Sequence, residues 1–482
     1  MKTHLMRLER AFCKIFAEIL ELDEVGATED FFELGGTSLL VTRIMIEAEK
    51  AGYAVNFADV FARPTPRLLA ELFIAKNVII ANANSLDNDV KNYDYTKINS
   101  LLAANTLECF KTGERQALGD VLLTGATGYL GIHILHELVE NYDCKIYCML
   151  RGRKNYSAED RFRHQLFYYF ENDYNELFGK RLFVIDGDVT HEIKNLKINT
   201  VINCAAVVKH FSAGTEIEDT NVGGVKNLIN YCINNNLRLI QVSTMSTVST
   251  FMDDGSVLPA GRMIGEQDLY FGQSLTNQYV HSKFLAERLI LEAIAEKKLN
   301  AKIMRVGSLS ARYSDGEFQI NSNTNSSMGR LKIYAMLGAC PYEQLDVPME
   351  FSPIDATAKA IIKLCETPRE CVLFHPYSHN NTLSADVFKA MTRCGLTIKP
   401  VECEEFNEAI RIAENDPVKA RLLTSMLAYQ SGGKNSVHIP RHNSYTMQVL
   451  YRMAYQWPVT TPEYLEKFIN ALKGLGFFDV NF

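Results

Sequence analysis

Tyr279 and Lys283 stand four positions apart in Tyr279-Val280-His281-Ser282-Lys283, at the start of a segment with helical apolar spacing, so one helical turn places both on the same face. A phenol beside an ammonium is an acid–base pair. At ~4 Å and an effective dielectric of ~20, the ammonium is worth about 4 kcal/mol, enough to lower a phenol pKa of ~10 by up to about three units and make it a proton donor near neutral pH. A second constellation lies upstream, where Thr124-Gly125-Ala126-Thr127-Gly128-Tyr129-Leu130-Gly131 follows the apolar run Val121-Leu122-Leu123 and precedes a segment rich in Ile132, Ile134, Leu135 and Leu138. Strand, glycine turn and helix together let a dinucleotide pyrophosphate sit on a helix N-terminus. Either motif alone is common by chance; their order along one chain makes them specific.

The elements that must position these groups can be read around them. The strand at 145–150 ends in Arg151-Gly152-Arg153, where NAD enzymes carry an acid for the ribose 2′-hydroxyl. Arginine matches a 2′-phosphate, so NADPH is expected over NADH. Further strand-like runs are Leu182 to Ile185, Val201 to Ala206 and Leu239 to Val242, the last leading into Ser243-Thr244-Met245-Ser246-Thr247. Strands alternating with helices predict an α/β fold, a Rossmann-type doubly wound parallel sheet. Beyond about residue 330 the pattern turns mostly helical, with Ile354, Ala358, Ile361 and Ile362 on one face and further helices at 387–391 and 445–455.

The first eighty residues follow another plan. Leu8, Phe12, Ile15, Phe16 and Ile19 recur at helical spacing, a second helix is expected from Ser38 with Leu40, Ile44 and Ala48 aligned, and Thr65-Pro66 opens a third with Leu69 and Leu72 inward. Ser38, after Gly35-Gly36, stands at a helix start, where backbone N–H groups and the dipole favour a phosphate by roughly 0.3 to 1 kcal/mol. Between Asn77 and Thr96 the composition shifts to Asn, Asp, Lys and Tyr, a linker. Such a tether of ~20 residues spans about 25 Å root-mean-square and holds its two ends at roughly millimolar effective concentration.

Composition bounds the class. The chain has 482 residues, 47% hydrophobic and 22% charged, with a net charge of −7, more than one core ordinarily supports. The acidic balance and the lack of a Lys/Arg stripe argue against nucleic-acid binding, and no apolar run reaches the ~18 residues of a membrane span. The first twenty residues lack the pattern of a secretory signal, so a cytoplasmic location is expected. Eleven cysteines without a Cys-x-x-Cys pair read as reduced, buried thiols. His375 with His379, and His438 with His442, have a four-residue spacing but no accompanying acidic or cysteine ligands, so no metal is expected.

Asp30-Phe31-Phe32-Glu33-Leu34-Gly35-Gly36-Thr37-Ser38-Leu39-Leu40 resembles the attachment motif of acyl and peptidyl carrier domains, although many members have His or Asp in place of Thr37. The resemblance implies a four-helix carrier bundle with 4′-phosphopantetheine on Ser38, added by a phosphopantetheinyl transferase. The glycine turn, arginine-tipped strand and Tyr-x-x-x-Lys resemble extended short-chain dehydrogenase/reductases. That likeness implies catalytic roles for Thr244, Tyr279 and Lys283. It also implies cofactor contacts from Thr124, Gly125, Thr127, Gly128, Tyr129, Leu130, Gly131, Arg151 and a second phosphate-binding Arg161, with Asp188-Val189 at the adenine. Asn221 is open to two readings, a structural asparagine or part of a proton relay. The stretch from Arg305 to Gln319 resembles a signature of terminal thioester reductases, with Ser308 where asparagine is frequent.

The whole is similar to the carrier–reductase end of a nonribosomal peptide synthetase: a carrier at 1–76, a linker at 77–96, an NADPH-binding domain at 97–330 and a C-terminal portion with a substrate-binding subdomain at 331–482. The resemblance implies NADPH-dependent release of a carrier-bound peptidyl or aminoacyl thioester as an aldehyde or alcohol by a monomer served by upstream synthetase modules. Alternative readings are an extended reductase or epimerase acting on a free sugar nucleotide, a fragment of a carboxylic acid or aminoadipate reductase, and a non-enzymatic NADPH-dependent regulator.

Overall fold

The computed structural model describes the chain except residues 1, 37–39, 42, 45–46, 49–50, 52, 54, 56–58, 61–62, 74–88, 153–156, 209–214, 249–251, 253–257, 259–260, 276, 323–325, 414–415, 417–418, 420–422, 424–440 and 480–482. Ser38, Arg153 and His438 thus lie outside the described residues.

Helix α1 (Lys2–Leu20) turns Leu8, Phe12, Ile15, Phe16 and Ile19 into a separate apolar core, as its periodicity requires. Val41, Ile44, Ala48 and Val60 join it from further helical residues, and Leu69 and Ala70 from a helix at 66–73. Phe73, rather than Leu72, packs against this core from the last helix. Among the described residues, four helical segments therefore share one N-terminal core.

Within the linker expected at 77–96, the chain is packed from Asp89 onward. Tyr95 stacks on Tyr270 at 5.4 Å between ring centroids, and the Arg288 guanidinium lies 4.7 Å from the Tyr93 ring while donating to Asp89 at 2.7 Å. The polar run conceals two aromatics, Tyr93 and Tyr95, whose burial contributes more than their neighbours' solvation opposes. Helix α2 (Thr96–Ala103) follows, with Ile98 and Leu102 buried.

Seven strands build the central parallel sheet: β1 (Val121–Thr124), β2 (Ile146–Leu150), β3 (Leu182–Asp186), β4 (Thr200–Asn203), β5 (Arg238–Thr244), β6 (Asn300–Val306) and β7 (Leu373–Phe374). Their spatial order is β7-β6-β5-β4-β1-β2-β3, with every pair parallel. The order reverses between β1 and β4, which is the switch point where such sheets open a ligand crevice. Helices α3 (Tyr129–Asn141), α4 (Ala158–Phe170), α5 (Gly224–Asn234) and α6 (Gln278–Ala295) connect the strands.

A division at residue 330 does not separate two cores. β7 pairs with β6, and α7 (Ile354–Cys365) packs on α3 within the same apolar cluster that holds β1 and β2. A two-residue strand has too little periodicity to be seen in sequence. A further core joins Phe318, Leu331 and Phe351 to α8 (Ser384–Arg393) and α10 (Pro462–Gly474), while α9 (Ser444–Arg452) lies against α7.

Candidate active site

The glycine turn lies in the crevice between β1 and β4. Gly125 has φ +70°, and a Cβ there would lie 2.6 Å from the Ala205 nitrogen, so the backbone after β4 closes over it. Gly131 lets α3 pack directly on the Gly125 carbonyl. Gly128, as N-cap, has no side chain to occupy the first-turn N–H groups of α3, which have no acceptors inside the helix. The side chains of Tyr129 and Leu130, both expected at the cofactor, are engaged elsewhere. The Tyr129 hydroxyl donates to the Ser310 carbonyl at 3.0 Å, and Leu130 is buried in the core. Thr127 accepts at its carbonyl from Gln165 of α4 at 3.4 Å.

At the tip of β2, Arg151 is exposed and 3.8 Å from Asp188. Arg161 donates to the Arg151 carbonyl at 3.1 Å, yet its Nη1 is buried with no hydrogen-bond partner among the described residues. A buried guanidinium nitrogen without an acceptor beside a second arginine fits the added phosphate of NADPH. Asp188 accepts from the Thr190 amide and hydroxyl at 2.9 Å each, and Val189 is buried against Gly224. A groove of about 860 Å³ lined by His191, Lys194, Asn227 and Tyr231 flanks this turn and contains none of Thr244, Tyr279 and Lys283.

Thr244 ends β5, and Tyr279 and Lys283 lie on the first turns of α6, which is capped by Asn277 accepting from the Val280 amide. The Thr244 and Tyr279 hydroxyls are hydrogen-bonded. Lys283, 5% exposed, donates to the Val242 carbonyl at 3.1 Å. That carbonyl also accepts from Gln241 at 2.8 Å, Gln241 accepts from Asn203 at 2.8 Å, and Asn203 accepts from Thr124 at 2.5 Å. A buried polar chain thus runs beneath the crevice from the glycine turn to the lysine.

The expected lowering of the phenol pKa is not found. Burial pushes Tyr279 up to about 12, opposed by its hydrogen bond to Thr244. Burial likewise pulls Lys283 down to about 8, with Cys204 and Glu287 acting in the other direction. Helical spacing alone suits a partly solvated pair, whereas desolvation here disfavours both charged forms. Tyr279 therefore holds its proton across the whole neutral range.

Asn221 is buried; it accepts from the Val207 amide at 2.8 Å and donates to the Val207 carbonyl and the Ser282 hydroxyl at 3.0 and 2.9 Å. These bonds tie the chain after β4 to α6. Among the described residues no group of His, Cys, Asp or Glu is arranged to hold a metal, and His375 bonds Arg305 instead. No described helix is long and apolar enough to cross a membrane.

Sequence reasoning passed over Glu287, fully buried one turn beyond Lys283, although Lys-x-x-x-Glu spacing on a helix was a usable signal. It also passed over Glu350, which accepts from the Ser308 amide at 2.8 Å and from Arg441 at 3.1 Å. No local pattern marks that carboxylate.

With this geometry, the fold and site define a carrier joined to a nucleotide-binding reductase of the short-chain type. Family models agree: residues 10–73 match the phosphopantetheine attachment site and residues 123–361 match the male sterility protein family. A thiolation-reductase di-domain from an archaeal non-ribosomal peptide synthetase is 38% identical, with a TM-score of 0.79, over 98% of both chains. The reductase domain of the aureusimine biosynthetic cluster is 25% identical, with a TM-score of 0.67, over 80% of this chain and 100% of its own. A linear gramicidin synthase of Brevibacillus parabrevis is 25% identical over 82% of this chain, which spans 8% of that protein. L-2-aminoadipate reductase of Saccharomyces cerevisiae is 25% identical over 75% of this chain, which spans 28% of it. The chain belongs to the thiolation–reductase di-domain family of nonribosomal peptide synthetases.

Proposed function

We propose that this chain reduces an acyl, aminoacyl or peptidyl thioester held on its own carrier and releases it as an aldehyde. The observation that carries the reading is the Thr244–Tyr279 hydroxyl pair at the end of β5, beside the switch-point crevice and backed by Lys283. NADPH supplies the hydride when bound. Gly125, Gly128 and the start of α3 would hold its pyrophosphate, with Arg151 and Arg161 at the 2′-phosphate and Asp188-Val189 at the adenine. Thr244 and Tyr279 donate hydrogen bonds to the thioester carbonyl oxygen, each worth about 3 to 4 kcal/mol as negative charge develops there. Tyr279 keeps the proton that this oxygen needs at its own Oη until that moment, because burial disfavours the phenolate, and the resulting hemithioacetal breaks its C–S bond to give the aldehyde, its hydroxyl proton passing to the carrier thiol.

Ser38 is the proposed attachment point for phosphopantetheine, which requires a phosphopantetheinyl transferase. Upstream synthetase modules would supply the acyl group, and a monomeric, cytoplasmic protein is the accompanying proposal. The test is mass spectrometry of the full chain loaded with octanoyl-pantetheine or aminoacyl-pantetheine, before and after NADPH. Loss of the acyl mass with appearance of the aldehyde supports the reading; a loaded carrier that stays acylated with both probes refutes it.

A further inference from the structure

Glu287 is fully buried and makes more hydrogen bonds than any sequence motif gives it reason to. It accepts the Ser243 hydroxyl of β5 at 2.5 Å and, from the turn that follows β5, the Thr247 hydroxyl at 3.3 Å, one residue before and three after Thr244. Thr247 also donates to the Thr244 carbonyl at 2.9 Å. From β6 it accepts Arg305 in a bidentate pair, with Nη2 at 2.7 Å and Nε at 3.1 Å from both oxygens, and both side chains have no exposure. The remaining Arg305 nitrogen donates to the Asp268 carbonyl at 2.9 Å and to His375 Nε2 at 3.2 Å. Because arginine only donates, His375 must carry its proton on Nδ1, which faces the His442 carbonyl at 3.2 Å. Its amide donates to Thr446 of α9 at 2.7 Å.

A buried ion pair is weak evidence for stability, since desolvation offsets much of the attraction. Its position gives it a different use. Tyr279, Lys283 and Glu287 lie at four-residue intervals on one side of α6, and Thr244 is on β5; the Glu287 carboxylate bridges that helix and that strand.

We propose that Glu287 is a positioning residue, a clamp that fixes the strand carrying Thr244 against the helix carrying Tyr279 and Lys283, with Arg305 and His375 tying the same clamp to α9 in the C-terminal portion. The inference rests on the reductase reading above. A second consequence is electrostatic. The groups facing Lys283 are Cys204 after β4, the Val242 carbonyl of β5 and Glu287 of its own helix, and Glu287 is the anionic one. Removing that charge lets the lysine lose its proton at lower pH.

The test uses the full chain. Ser243→Ala cuts the clamp's bond to the strand and leaves the ion pair whole, Glu287→Gln removes the charge but keeps one acceptor oxygen, and Tyr279→Phe serves as the catalytic reference. Each folded variant is assayed for NADPH consumption with octanoyl- and aminoacyl-pantetheine, and Lys283 is titrated by NMR with isotope-labelled lysine. Ser243→Ala is expected to lower kcat about tenfold with KM nearly unchanged, and Glu287→Gln on the order of a hundredfold. Lys283 should titrate at lower pH in Glu287→Gln and at the wild-type pH in Ser243→Ala, a split that a merely structural role does not produce. If Glu287→Gln fails to fold, Ser243→Ala and Thr247→Val carry the kinetic test. Wild-type kcat in Ser243→Ala, or an unmoved lysine titration in folded Glu287→Gln, overturns the inference. If the wild-type chain consumes no NADPH with either probe while Lys283 titrates as expected, the reductase reading fails and the electrostatic link stands.

Discussion

Lys283→Met should make the protein more stable while removing its activity. Burial pulls the Lys283 pKa down to about 8 in the fold, against ~10.4 in an unfolded chain, a gap on the order of 3 kcal/mol against folding. The sign follows from which state holds the proton more tightly. Below about pH 8 both states are charged and the full penalty applies; as pH rises toward ~10.4 the folded lysine is already neutral and the penalty disappears. Methionine fills a similar volume without the charge. Its drawback is the lost bond to the Val242 carbonyl, which still accepts from Gln241 and so is not orphaned, and Glu287 retains Arg305. Thermal melting of the variant at about pH 7 should therefore lie several degrees above wild type, and the advantage should shrink toward about pH 10. NADPH consumption on a loaded carrier should be absent at both. A variant that melts at or below the wild-type temperature near neutral pH, or whose advantage grows with pH, would refute the reasoning.

Tyr279→Phe removes one carbonyl-oxygen donor and the proton it holds, so kcat should fall by about 10² to 10³ while NADPH affinity, read by calorimetry, stays near wild type. Arg151→Ala and Arg161→Ala should each weaken NADPH binding at least tenfold and leave NADH binding little changed, because each loses a charge-assisted bond specific to the 2′-phosphate. Ser38→Ala should show no pantetheine mass after treatment with a phosphopantetheinyl transferase, yet should still consume NADPH with free acyl-pantetheine. Wild-type loading of that variant would place the attachment elsewhere.

Much of the architecture was legible because it rests on local patterns. The helical period of Leu8 to Ile19, the glycine turn after β1 and the Tyr-x-x-x-Lys turn of α6 each encode geometry within a dozen residues, and all three fold as their spacing implies. What was hidden depends on distance in the chain. β7 joins a sheet whose neighbouring strand ends 67 positions earlier, and Glu350 reaches Ser308 across 42 positions. The ionisation of Tyr279 was misjudged for a related reason: spacing gives proximity, but burial, which decides the sign, is a property of the assembled core.

The docking of Asp89, Tyr93 and Tyr95 beside α6 fixes where the connection to the carrier joins the reductase. Residues 74–88 separate the last described carrier helix from that anchor, and at ~3.3 to 3.6 Å per residue Phe73 and Asp89 cannot lie more than about 58 Å apart. That anchor is the flank of the very helix that bears Tyr279 and Lys283, so the point at which the carrier is joined belongs to the helix proposed to do the chemistry. A different carrier joined upstream of Asp89 would inherit that same point of attachment.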